Sequence, residues 1–284
     1  MTDSSSIRKV NEITIEHLNI AHLSALEPDR FLASDDWGNL IQSDMKGSIL
    51  WKKSTNMYGI RGRHSVTSEG QILYTDFNIN AIYTMGSDMF SNKLAIRTGN
   101  WKPGAIYSSH INEHVLVGME KNNFMEVTAK IVRFSKGWTK LQDINLNDKG
   151  QNLYLSARFI TENINCDICT SDYLASKVVV VTRTGEYRFS YYGHPRQIGF
   201  RPCGICTDAQ GHIVVCNGYE DSTNQCSGVH LLDMDGQFLS FLLTPDQCPP
   251  IPCALCINNQ QILMIASLAS PTVSVYKYFH STQV

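Results

Sequence analysis

The strongest constraint on this chain is that it repeats itself. Set against one another without gaps, Ile160 to Asp172 ("ITENINCDICTSD"), Ile205 to Asn217 ("ICTDAQGHIVVCN") and Leu255 to Ser267 ("LCINNQQILMIAS") share one plan: a strand, a polar turn and a second strand. His64 to Asp76 ("HSVTSEGQILYTD") fits the same frame, and looser copies end at Asp35 and Gly118. The six end points, 35, 76, 118, 172, 217 and 267, lie 41, 42, 54, 45 and 50 residues apart. Spacings of this size match a four-stranded propeller blade, a unit that cannot bury its own faces and must stack on its neighbours.

Each copy is followed by material for two more strands joined by a tight glycine turn, as in "KVVVVTRTGEYRFSYY" at 177–192 and "GVHLLDMDGQFLSFLL" at 228–243. Such turns signal hairpins. The best helical candidates, "SALEPDRFLAS" and "INLNDKGQNLYL", are broken by Pro or Gly, so almost no helix is expected. The last copy has a third strand, "TVSVYKY", and no fourth. The alternating segment "NEITIEHL" at 11–18 is the spare strand, and its pairing with the last blade would close the ring and remove exposed edges. The expected fold is an all-β, six-bladed propeller over residues 12–279, with tails at 1–11 and 280–284.

Residues 200–242, "FRPCGICTDAQGHIVVCN…VHLLDMDGQFLSFLL", resemble an NHL repeat: Pro202, Gly204, Ile205, Asp208, Gly211, Ile213, Val215, Asp233, Gly236, Phe238 and Leu239 fall on its pattern. Over 12–279 the chain is similar to the carboxy-terminal propeller of tripartite-motif-like proteins. That resemblance implies a non-catalytic module that recognises protein partners in a ubiquitin-ligase setting. With eleven residues ahead of the first expected strand, neither RING nor B-box is expected, and "GYEDSTNQCSG" at 218–228 replaces the N-H-R tripeptide.

Net charge is −2, which provides no global basic field for nucleic acid. No apolar run reaches the roughly 18 residues of a membrane span, so neither a membrane nor a DNA partner is expected. Nine cysteines, no N-x-S/T sequon and no signal peptide suit reduced thiols and a cytoplasmic protein.

"CDIC" at 166–169, "CGIC" at 203–206 and "CALC" at 253–256 invite a zinc reading. In a strand, residues i and i+3 face opposite sides and lie about 10 Å apart, whereas thiolates sharing one zinc must lie within about 4 Å. The repeat puts Cys203/Cys206 and Cys253/Cys256 on equivalent first strands and Cys166/Cys169 on a second strand, so no metal or other cofactor is expected. Cys226 and Cys248, in expected loops, are the candidates for a reactive thiol. "SDD" at 34–36 and "DMDG" at 233–236 are read as turns, and His64, His110 and His114 as packing or surface groups.

The segments that enter the first strands carry cations: "YGIRG" at 58–62, "WKPG" at 101–104, "SARF" at 156–159 and "FRPCG" at 200–204. Gathered at one channel mouth, Tyr58, Arg61, Trp101, Lys102, Arg158 and Arg201, with His194 and Arg196 beside them, would form a partner-binding face. Single-stranded RNA is the second expected ligand, since stacking aromatics among cations suit unpaired bases. A third reading, a metal-dependent hydrolase like the six-bladed lactonases, needs channel carboxylates, and the first strands supply few beyond Glu162 and Asp208, with Asn258 as an amide.

Overall fold

The computed structural model describes residues 7–15, 18–26, 29–55, 63–86, 89–123, 126–197, 199–218 and 227–278. Among these there is no helix, and the strands form six four-stranded antiparallel sheets. Blade one holds β2 (Ile20–Leu26), β3 (Arg30–Asp35), β4 (Asn39–Asp44) and β5 (Ile49–Ser54). Blade two holds β6 (His64–Val66), β7 (Ile72–Asp76), β8 (Ala81–Met85) and β9 (Asn92–Arg97). Blade three holds β10 (Lys102–Ser108), β11 (Val115–Asn123), β12 (Glu126–Phe134) and β13 (Lys140–Ile144). Blade four holds β14 (Ala157–Glu162), β15 (Ile168–Asp172), β16 (Lys177–Val181) and β17 (Tyr187–Tyr191). Blade five holds β18 (Pro202–Thr207), β19 (Ile213–Asn217), β20 (Gly228–Leu232) and β21 (Phe238–Leu243). Blade six combines β22 (Pro252–Ile257), β23 (Ile262–Ser267) and β24 (Thr272–Tyr278) with β1 (Ile7–Thr14).

The first strands β2, β6, β10, β14, β18 and β22 meet in sequence around one axis, and β22 returns to β2. The ring is closed as expected, by the amino-terminal strand pairing antiparallel with β24. That strand starts at Ile7 rather than Asn11, and Ile7 and Ile13 on it are buried. Residues 1–6 and 279–284 lie outside the described residues.

Two repeat positions explain why blades of such different sequence stack alike. The last residue of the second strand holds the chain around it. Asp35 accepts backbone N–H bonds from Trp37 and Asn39, Asp76 from Asn78 and Ile79, and Asp172 from Leu155, Ser156 and Ala175. Asn217 accepts from Arg201 and donates to Gly199, and Ser267 donates to the Pro250 carbonyl. In blade three the frame falls at Met119, one residue after Gly118, because Pro103 pairs there as Pro202 pairs with Asn217. No polar group is needed, since β11 runs on into a long hairpin with β12.

The residue before it is small in every blade: Ser34, Thr75, Gly118, Ser171, Cys216 and Ala266. The next blade's inner strand leaves no room for more. Thr75 donates to the Gly104 carbonyl at 2.9 Å, and a Cβ on Gly118 would stand 2.7 Å from the Ala157 carbonyl oxygen.

Asp172 is fully buried and satisfies three backbone donors on two segments. Its replacement by alanine is expected to lower stability by about 3 kcal/mol, through donors left without partners. Urea unfolding of D172A is the measurement, and a change below about 1 kcal/mol would show that water replaces the carboxylate.

Candidate functional site

The cysteines follow the repeat. Cys203 and Cys206 lie on β18, Cys253 and Cys256 on the equivalent β22, and Cys169 on β15, while Cys166 sits in the preceding turn at φ 61°. Burial pushes the thiol of Cys203 up to about 11 and that of Cys256 to about 12, and raises Cys169, Cys206, Cys216, Cys248 and Cys253 as well. Cys248 thus sits in a setting that disfavours a thiolate, and Cys226 lies outside the described residues.

The expected basic mouth is distributed over several neighbours. Lys102 stands 5.0 Å over Phe77, and Trp101 is covered by Lys130 at 4.3 Å. Arg158 and Arg201 converge on the Tyr173 ring at 4.0 and 5.4 Å, and Arg201 also donates to the Tyr173 carbonyl. His194 packs on Phe238 and Phe241 of β21, the outermost strand of blade five, and Arg196 is exposed in the adjoining turn. Tyr58 and Arg61 lie outside the described residues.

A cavity of about 660 Å³ occupies the channel toward the opposite end, where the first strands finish. Its wall is built from the later halves of the six inner strands, and turn residues such as Ser68, His110 and Asn259 stand at its mouth. One level of this wall is a repeat position: Leu23, Ile106, Ile160, Ile205 and Leu255 occupy it in five blades, and His64 occupies it in blade two.

His64 meets His22 of β2 edge to face, with ring centroids 4.6 Å apart, and His22 in turn stacks on Phe159 at 5.5 Å. Nδ1 of His64 lies 3.1 Å from the hydroxyl of Ser34, the small spacer residue of blade one. The Leu32 carbonyl favours a proton on the ring, and Nε2 has no hydrogen-bond partner. The ring is thus tethered through Nδ1 to Ser34, while Nε2 is buried without a hydrogen-bond partner. Nδ1 of His22 likewise has no partner.

Burial, followed by the charge of the adjacent Arg63, pulls His64 down to about 3. Burial, then His64 and Arg63, pull His22 well below the ordinary imidazole value. Arg63 is itself lowered to about 10 by burial and by Arg158, and its guanidinium lies 4.5 Å over the Phe159 ring. The site thus holds two neutral imidazoles in contact within a positive field. The reading of His64 and His110 as packing or surface groups missed that both line this cavity; the signal was a histidine at a level that is aliphatic in the other blades.

The donor set does not fit a divalent cation. Among the described residues no three His, Cys, Asp or Glu side chains are grouped to hold one. The acids expected near the channel have other tasks: Glu162 faces Arg133 at 3.6 Å, and Asp208 accepts from Gln210, His212 and Tyr278. Asn258 caps its own turn, accepting from Gln260 and Ile262.

No family model matches the sequence, and no curated protein matches it either. Solved structures do. A gluconolactonase from Xanthomonas campestris is 13% identical, covers 95% of this chain and 98% of its own, and gives a TM-score of 0.66. Virginiamycin B lyase from Staphylococcus aureus, solved with quinupristin, is 12% identical over 95% of this chain and 99% of its own, with a TM-score of 0.65. A luciferin-regenerating enzyme is 10% identical over 97% and 95%, with a TM-score of 0.69. At such identities the likeness establishes the six-bladed fold. These neighbours are enzymes, which overturns the expectation of a non-catalytic recognition module in a ubiquitin-ligase setting; that expectation rested on a repeat pattern that is close in blade five alone.

Proposed function

We propose that the chain is an enzyme of the hydrolase or lyase class, acting on a small carbonyl compound in its central channel. The observation that carries this reading is the pair of neutral, contacting imidazoles on the wall of the channel cavity, one of them at a level that is aliphatic in the other five blades. The enzymatic neighbours support it. The volume is that of a small-molecule site, and Nε2 of His64, buried and without a hydrogen-bond partner on a ring that Ser34 holds at Nδ1, would be the proton acceptor once water or substrate reaches it. In hydrolysis it would take a proton from water, and in elimination from the carbon beside the carbonyl, returning it to the leaving group. His22, 4.6 Å away, would accept or relay the same proton. The NHL-like pattern of blade five belongs in this reading to the turn chemistry of the repeat.

The reaction proposed here differs from a metal-dependent lactonase in its means, since the described donors suit proton transfer and do not suit a cation. Screening the purified protein against lactones, aryl esters and β-elimination substrates tests it. Turnover is expected to be unchanged, within about twofold, after exhaustive chelation, because transfer through an imidazole needs no Lewis acid. Activity lost on chelation and restored by a stoichiometric divalent ion would sink this mechanism; no turnover across the panel would sink the assignment.

A further inference from the structure

We infer that the channel cavity selects a small carboxylate-bearing molecule, held by its anionic end near Arg30 and the His22–His64 wall, with its hydrocarbon part against the aliphatic level. This rests on the channel being the functional site. Among the described residues that line the cavity there is no Asp or Glu. Arg30 stands exposed at its rim, and the carboxylate of Asp44, its partner across β3 and β4, is occupied by the backbone of Lys46 and Ser48.

Deeper in, the Arg63 guanidinium lies against Phe159, a wall residue, and its charge is felt at both imidazoles. An ammonium group entering this space would lose hydration and meet cations, whereas a carboxylate would meet cations and hydroxyl donors such as Ser24, Ser65 and Thr161. The same anion would offset the field of Arg63, which is the second cause, after burial, of the lowered His64 value.

Three probes of one shape separate the charges: phenylacetate, phenylacetamide and phenethylamine, titrated calorimetrically into the native protein. Phenylacetate is expected to bind at least about tenfold tighter than the amide, with the amine weakest, as one unit charge near a partly solvated cation implies. Added salt should shrink that preference, and the ring resonances of His22 and His64 should shift on saturation. Arg30→Gln, a substitution on the exposed rim, should weaken phenylacetate about three- to tenfold and leave the amine no weaker. Equal affinities, a tighter amine, no saturable phenylacetate binding, unshifted histidine resonances or an unchanged preference in R30Q would each overturn the inference. Binding is read without turnover, so a protein that prefers phenylacetate but converts no substrate keeps this inference and loses the reaction; one that converts neutral esters without the preference does the reverse.

Discussion

Replacing His64 by alanine is expected to lower turnover of whichever carbonyl substrate the screen identifies by about 10²- to 10⁴-fold, the usual share of a positioned acid–base group. The protein should stay folded, because the change removes a buried polar ring without leaving an unpaired charge; a melting curve verifies this. Free imidazole in the assay should restore part of the lost rate, since the cavity left behind is continuous with the channel. Ser34→Ala is expected to cost roughly ten- to a hundredfold, because its hydroxyl orients the ring and does not itself take the proton. This ordering is the diagnostic. If H64A keeps its rate within about threefold, His64 is a packing residue and the proposed chemistry belongs elsewhere.

The second large effect is on stability in acid. His64 and His230 are buried, and burial lowers each to about 3 in the folded protein; His22 is lowered in the same direction. His230 is locked between the Tyr191 hydroxyl at 2.8 Å and the Gln197 amide oxygen at 2.6 Å. In the unfolded chain these rings titrate near pH 6.5. Below that value the unfolded state binds protons that the folded state refuses, so stability complete above pH 6.5 is lost as pH falls toward 3. Each ring contributes a slope of roughly 1 to 1.5 kcal/mol per pH unit. His64 and His230 together therefore remove on the order of 5 kcal/mol by about pH 4.5, much of a typical domain's stability. Urea unfolding between pH 7.5 and 4.5 measures the slope. The double variant H64Q/H230Q should flatten it even if its stability at neutral pH is lower; an equally steep slope in the variant would assign the loss to other groups.

The fold was legible at the level of single strands. The spacing of Asp35, Asp76, Asp172, Asn217 and Ser267 marked the blades because each of these residues must hold backbone donors or acceptors at the same corner. Blade three was misplaced by one residue because Met119 has no capping task and leaves no polar mark. The spare amino-terminal strand was found by counting, although its register was not: both Ile7 and Ile13 needed a buried place against β24, and only the pairing shows that they find one.

The site was only partly legible. Cations at the strand entrances were visible as sequence, but Arg158 and Arg201 turn to the same tyrosine, Tyr173, and His194 turns to phenylalanines on an outer strand. Those choices are made by rings that lie 15 to 47 residues away along the chain, which no local pattern encodes. By itself the sequence determined the repeat, the number of blades and the strand placement of Cys203, Cys206, Cys253 and Cys256, because these follow from alternation and turn chemistry within about 50 residues, and counting strands left the amino-terminal segment to close the ring. Only the tertiary structure decided which end of the channel is hollow and that His22, Ser34 and His64 meet. Ser34 and His64 belong to different blades and are 30 residues apart; their contact exists because a small residue in one blade lets the inner strand of the next come close.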